Sequence, residues 1–258
     1  WRRADENDGS CRWTREEDAG ARLGSVDFAF VSGDAYVDHP SFGMAIITRL
    51  LEANGYKVGV IAQPDWNDPQ SIAVFGEPRL GFFVSSGNMD SMVNHYTVAK
   101  KRRRSGCVLS GRRGGQAPEP RGVVYGNLIR RTYKKTPLIL GGIEASLRRL
   151  GALTTTGRTS SSAPSLAGLR LPTSLSYGMG EHSRHRDRDA LNAGLAIEDL
   201  TFIDGTVFRA SSLEHVYDAE TLPSFPALQA DKLDYARSFA VQYRNSDPFT
   251  GKRLVEPY

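Results

Sequence analysis

Four short segments place small or acidic groups where chemistry could be done: Ser32-Gly33-Asp34, Ser85-Ser86-Gly87-Asn88, Gly141-Gly142-Ile143-Glu144 and Gly178-Met179-Gly180-Glu181. Each follows a short apolar run, as the turn from a strand into a helix does. Glycine in such a turn lets the backbone approach a ligand closely, and the first N–H groups of a helix attract anions. Tight turn geometry also demands glycine, so any one turn fits a purely structural role. Together they mark a crevice for a flat or phosphate-bearing ligand. The candidate binding residues are Gly33, Asp34, Gly87, Asn88, Gly141, Gly142, Glu144, Gly178, Gly180 and Glu181.

Other chemistries find less support. The first turn reads SGDAYV rather than G-x-G-x-x-G, and there is no Walker loop. Asp38 could orient the His39 imidazole, or His39 could simply pack its loop. His95 falls within a helical pattern and reads as structural. His182 and His185 have i, i+3 spacing, but the arginines around them would repel a metal cation. No base adjoins Ser85 or Ser86, so a hydrolase triad has no support. The two cysteines, Cys11 and Cys107, are far apart and have no partner at ligand spacing. That excludes a disulfide scaffold, a Cys-rich zinc site and a cysteine-ligated iron–sulfur cluster within this chain.

The elements that must position the turns follow from hydrophobic period. Val26–Ser32 is an apolar run of the kind buried on both faces of a sheet, and Lys57–Ala62 is a second. Between them Pro40-Ser41 offers a helix start. Met44, Ile47, Leu50 and Leu51 give one apolar face, and Asn54-Gly55 a stop. A crossover this short forces parallel strands and a right-handed turn. Arg79–Ser85 reads as a third strand, with Asp90 or Ser91 capping a helix that runs to Lys100. Val123–Tyr133 is a further helix, Leu138–Leu140 a fourth strand and Leu175–Tyr177 a fifth. Ala145–Leu150 begins a helix, Asp189–Gly194 ends one, and Gly205–Arg209 is a late strand.

These elements divide the chain into a charged leader over 1–25, an α/β domain over 26–210, and a connector over 211–258 with a helix at 231–244 but no closing element after Asp247-Pro248. Within the domain, 154–174 is low in complexity and lacks a period of 2 or 3.6, so little regular structure is expected there. A chain of 258 residues, 40% of them hydrophobic, can bury a sizeable core. No apolar run approaches the roughly 18 residues of a membrane helix, and a cytoplasmic location is expected. The net charge of +4 owes much to the Lys100–Arg104 run. That run reads either as cations favoured at a helix C-terminus or as a phosphate or RNA contact. A spread-out nucleic-acid surface is not indicated.

The strings GDAYVDHPSFGMAIITRLLEANGYKVGVIAQPDW, GNMDSMVNHYTVAKKRRR and GGIEASLRRL, continued through GMGE, ALNAG, GTVFR, LPSF and YRNSDPFTGKRL, closely resemble the N-terminal region of YgiQ-type radical SAM proteins. The resemblance implies an α/β fold with a Rossmann-like, cobalamin-binding-like, doubly wound parallel sheet of about five strands, leading through a helical and extended connector to a radical SAM barrel absent from this stretch. It also implies a [4Fe–4S] cluster and S-adenosylmethionine for the whole family protein, held by a CxxxCxxC loop that is not in this sequence. The chain alone would then be catalytically inactive. The GGIE and GMGE turns match places where cobalamin-binding relatives touch the cofactor's nucleotide tail. The cobalt-ligating D-x-H-x-x-G signature is not reproduced, because His39 directly follows Asp38. Alternatives are a stand-alone corrinoid- or nucleotide-binding module and an RNA-binding accessory domain. The stretches 107–117, 154–174 and 183–188 depart from the family in the way compensated frameshifts would produce.

Overall fold

In a computed structural model the described residues are 12–13, 26–99, 101, 121–156, 159–163, 174–210, 212–214 and 216–257. The residues Phe28–Ser32 (β2) and Val58–Ala62 (β3) form neighbouring parallel strands joined through Gly43–Ala53 (α1). On the other side of β2 lies Gly81–Ser85 (β4), followed outward by Leu138–Gly141 (β5) and Ser174–Ser176 (β8), all parallel. Two-residue strands close the edges. Arg12–Trp13 (β1) runs parallel to β3, and Thr206–Val207 (β9) antiparallel to β8. The order is therefore β1-β3-β2-β4-β5-β8-β9.

Strand alternation sorts the core onto two faces. Phe28 and Phe30 point toward α1, where they meet Ile47, Leu51 and Phe83. Glu181–Asn192 (α5) closes the same face with Ala190 and Leu191. Ala29 and Val31 point the other way, toward Tyr125, Leu128 and Ile129 of Arg121–Thr132 (α3). Helices on both faces and a mostly parallel sheet make this a Rossmann-like, doubly wound α/β fold. Among the described residues no helix is long and apolar enough to cross a membrane.

Several elements differ from the sequence expectation. The first helix begins at Gly43 rather than at Pro40-Ser41, with Phe42 in extended conformation before it. Thr48, not Leu50, completes its buried face, because the Thr48 hydroxyl bonds back to the Met44 and Ala45 carbonyls. The helix after Asp90 is only Ser91–His95 (α2), so His95 is its last residue, not a mid-helix one. Tyr96 is extended, and beyond it Val98 is fully exposed, so no apolar face remains to hold a longer helix. Part of 154–174 is regular after all. Ala152–Thr156 (β6) and Thr159–Ala163 (β7) pair as an antiparallel hairpin apart from the main sheet, and threonine's branched Cβ favours extended backbone. Residues 183–188, another departing stretch, fall within α5, and 102–120 lies outside the described residues.

The connector is also more ordered than expected. Ala219–Thr221 (β10) pairs in parallel with Arg253–Val255 (β11), which supplies an element after Asp247-Pro248. Between them run Phe225–Ala230 (α6), capped by Ser224, and Lys232–Arg244 (α7), capped by Asp231. Glu256 accepts a hydrogen bond from Gly151 N–H at 2.8 Å, and Leu222 and Leu228 are buried.

Phe83 is fully buried at the centre of the sheet, its ring stacked 4.8 Å from that of Phe28. Phe83→Ala is expected to lower unfolding free energy by about 3–5 kcal/mol, read from urea unfolding curves with an unchanged slope.

Candidate functional site

Strand order decides where a ligand can sit. The chain leaves β2 for β3 on one side and then returns to β4 on the other, so the connections diverge at the carboxyl ends of β2 and β4. Such a switch point opens a crevice above the sheet. Here it is a cleft of about 280 Å³. Phe30, Val37, Phe42, Met44 and Ile47 form the wall on the β2–α1 side. Ile143, which opens Ile143–Leu147 (α4), and Met179 are further apolar lining residues. Ser32, Ser85, Gly141 and Ser176 line it from the strand ends.

All four glycine-bearing turns lie at this edge. Asp34, Gly87, Asn88, Gly141, Gly142, Gly178, Gly180 and Glu181 line the cleft. Gly33 and Glu144 do not. Gly33 serves packing: a Cβ there would stand 2.2 Å from the Ser86 carbonyl oxygen, so glycine lets the ends of β2 and β4 meet. Gly142, at φ 85°, turns the chain into α4 where a Cβ would strike the Ser85 hydroxyl.

Glu144 is a correction to the sequence reading. Only 1% of its surface is exposed, and it is not among the residues lining the cleft. Its carboxylate accepts hydrogen bonds from the Ser91 N–H at 2.8 Å, from the Ser91 hydroxyl, and from the Gly122 N–H at 3.0 Å. One carboxylate thus serves the starts of both α2 and α3, whose orphan N–H groups it satisfies. The Ser91 hydroxyl oxygen in turn accepts from the Arg121 N–H.

Asp34 lines the cleft but is already engaged. It accepts from Arg121 Nη1 at 2.8 Å and from the Asn88 N–H at 2.8 Å. Arg121 is fully buried, and the same Nη1 also donates to the Gly33 and Ser86 carbonyls. A second, partly buried pair joins Arg148 to Asp90 in two hydrogen bonds of 2.8 and 3.0 Å. Sequence reading missed both arginines. Arg121 follows a stretch rich in glycine, proline and arginine, and its one signal is a charge two residues before Val123, where the expected helix begins. Arg148 carries no periodic signal at all.

Lysine, arginine and histidine are missing from the described residues lining the cleft. The Ser32 and Ser85 hydroxyls accept the N–H groups of Asp34 and Gly87, so both act as loop ties. The cleft therefore offers apolar walls, backbone, the Asn88 side chain and the Glu181 carboxylate. His39 stands outside it, its Nδ1 accepting from Ser41 N–H. Asp38, beside it, is held by Arg49 instead, at 2.6 Å. The side chains of His182 and His185, both cysteines, and Lys100 with 102–104 lie outside the described residues. Among the described residues no three His, Cys, Asp or Glu side chains converge as a metal site.

This is a doubly wound α/β domain with an open cleft at its switch point. The family model described as Radical SAM N-terminal matches residues 12–258, and the chain belongs to that family. It is 41% identical to a UPF0313 protein of Clostridium botulinum over 236 residues, covering 90% of this chain and 36% of that relative. A UPF0313 protein of Clostridium perfringens is 44% identical over 236 residues, covering 90% and 35% respectively. The chain thus spans about a third of the length of these curated relatives. No solved structure matches it.

Two outcomes test the loop ties. Arg121→Met leaves the Asp34 carboxylate buried without its cation and is expected to cost about 3–5 kcal/mol. Adding Asp34→Asn should restore part of that, which a double-mutant cycle by urea unfolding reads directly. In the loop between β2 and α1, the hydrogen bond from Arg49 holds the Asp38 carboxyl below its ordinary value of 3.8, burial opposing and the arginine's charge adding to it. A depressed folded value means the tie stabilises above the unfolded value and is lost as pH falls through the lower folded one. Both side chains are nearly half exposed, so the contribution is about 0–1 kcal/mol. The stabilities of the wild type and Asp38→Asn should differ at neutral pH and converge as pH falls below 3.8.

Proposed function

We propose that the chain is the N-terminal domain of a radical SAM enzyme and that its switch-point cleft forms one wall of a site for a flat substrate or cofactor. The observation that carries this reading is the convergence of the β2, β4, β5 and β8 ends on one apolar cleft. A [4Fe–4S] cluster, as implied for the family, takes three thiolates from a CxxxCxxC loop. This chain has two cysteines, Cys11 and Cys107, so its own donors do not fit the cluster. Cluster and S-adenosylmethionine belong to the part of the family protein outside this stretch.

The lining refines the ligand class. With apolar walls and no cationic side chain among the described lining residues, the cleft favours the face of a ring over a phosphate anchor. Asn88 and Glu181 would take hydroxyl or amino groups at the ring's edge. A nucleoside or a corrinoid edge meets that description better than a nucleoside triphosphate does. Cobalt ligation by His39 finds no support, since His39 is not among the lining residues.

Calorimetric titration with adenosine, adenosine triphosphate and hydroxocobalamin tests the reading. Binding of adenosine or hydroxocobalamin is expected, with the triphosphate weaker than adenosine. Met179 is 87% exposed, so Met179→Ala should leave the fold intact. Met179→Ala and Glu181→Gln should each weaken binding by about tenfold, the scale of one lost charge-assisted bond or apolar contact. Heat and thermal shift absent with all three probes would overturn the cleft as a binding wall.

A further inference from the structure

Helix α7 is turned opposite to what its sequence asks. Its apolar residues Leu233, Ala236, Ala240 and Tyr243 recur at helical steps, the pattern of a face meant for burial. All four are exposed, Leu233 by 60% and Tyr243 by 73%. The residue α7 buries is Ser238, whose hydroxyl accepts from Gln242. Phe239 is 61% exposed, and its ring stacks on Tyr243 at 6.3 Å. Beside it a groove of about 110 Å³ runs between α7 and the end of α4, lined by Leu147, Leu150, Tyr235 and Phe239 among others. Leu147, on the α4 side, is 59% exposed. An apolar face of this extent marks an interaction site on a folded domain.

The geometry points to one occupant: we infer that this face seats the polypeptide that family proteins carry beyond the stretch matched here. This rests on the reading of the chain as an N-terminal domain. Nearly two thirds of the Clostridium relative lies outside the aligned 36%, and the matched family is the N-terminal one. The exit is in the right place. β11 pairs with β10, and Arg244 at the end of α7 reaches Glu220 on β10 at 3.6 Å. A polypeptide continuing from β11 in a relative therefore emerges beside α7. In such a relative hydrophobic burial can then be completed by its own continuing polypeptide, with no separate partner needed.

The test uses the full-length Clostridium perfringens relative and this chain side by side. A benzophenone amino acid is placed in the relative at the position aligned with Phe239, and as a control at the position aligned with Asp199, which is exposed and not among the groove's lining residues. Photolysis is expected to give intramolecular cross-links from the first position to residues beyond the one aligned with Tyr258, and none from the control. Cross-links confined to the N-terminal stretch, or no cross-link from either position, would overturn the inference. Amide exchange across α7 should be at least tenfold faster in this chain than across the aligned helix of the relative; equal rates would count decisively against it. Sedimentation of this chain at rising concentration should show a monomer. A dimer dissolved by Phe239→Asp would assign the face to a second copy and overturn the inference as well. None of these readouts depends on a ligand, so an empty cleft and an unoccupied α7 face are separable failures.

Discussion

A carboxylate sealed from water must be met by donors on all sides, and Glu144 is met by two helix starts at once. Removing a charge from solvent costs several kcal/mol unless it is fully hydrogen-bonded. The Ser91 and Gly122 N–H groups and the Ser91 hydroxyl supply that satisfaction. In return, α2 and α3 are anchored to the turn that follows β5. The Asp34–Arg121 pair does the same between the turn after β2 and the start of α3, and Arg148–Asp90 between α4 and α2. The turns after β2, β4 and β5 are thus tied to one another and to the neighbouring helices by charged side chains.

The consequence for the cleft is that its floor and rim exist before any ligand arrives. Hydroxyls and carboxylates that could have reached upward are committed to holding loops, Ser32 and Ser85 through backbone N–H groups and Asp34 through Arg121. The other lining residues are apolar side chains, glycines, Asn88, Ser176 and Glu181. A surface held in place in this way needs little ordering on contact with a ligand.

Much of this scaffold is written locally. The β2–α1–β3 unit can be read from Val26 to Asp65 because strand runs, helix period and the Asn54-Gly55 stop all agree, and Gly55 indeed has the positive φ such a stop requires. Asp90 is legible as a cap for the same reason. The roles of Glu144 and Arg121 are not local. A carboxylate after Gly142 looks the same in sequence whether it faces a ligand or two helix starts 22 and 53 residues away. Helix α7 shows the converse limit: its apolar period is plain, yet the period says only that a face wants burial, not what buries it. The pairing of β6 with β7 is hidden because serine and threonine runs carry no apolar alternation to detect.

The strand order has a bearing on how the domain is made. β2 comes first among the long strands, β3 adds to one flank, and β4, β5, β8 and β9 then add one after another to the other flank. No later strand must wedge between two that are already joined. As the polypeptide leaves the ribosome, the sheet can widen in the order of synthesis, each new strand docking on an edge that is waiting for it. The pairing partners Phe28 and Val58 are both available early, so the nucleus of the domain can assemble well before the second half of the sheet has been translated.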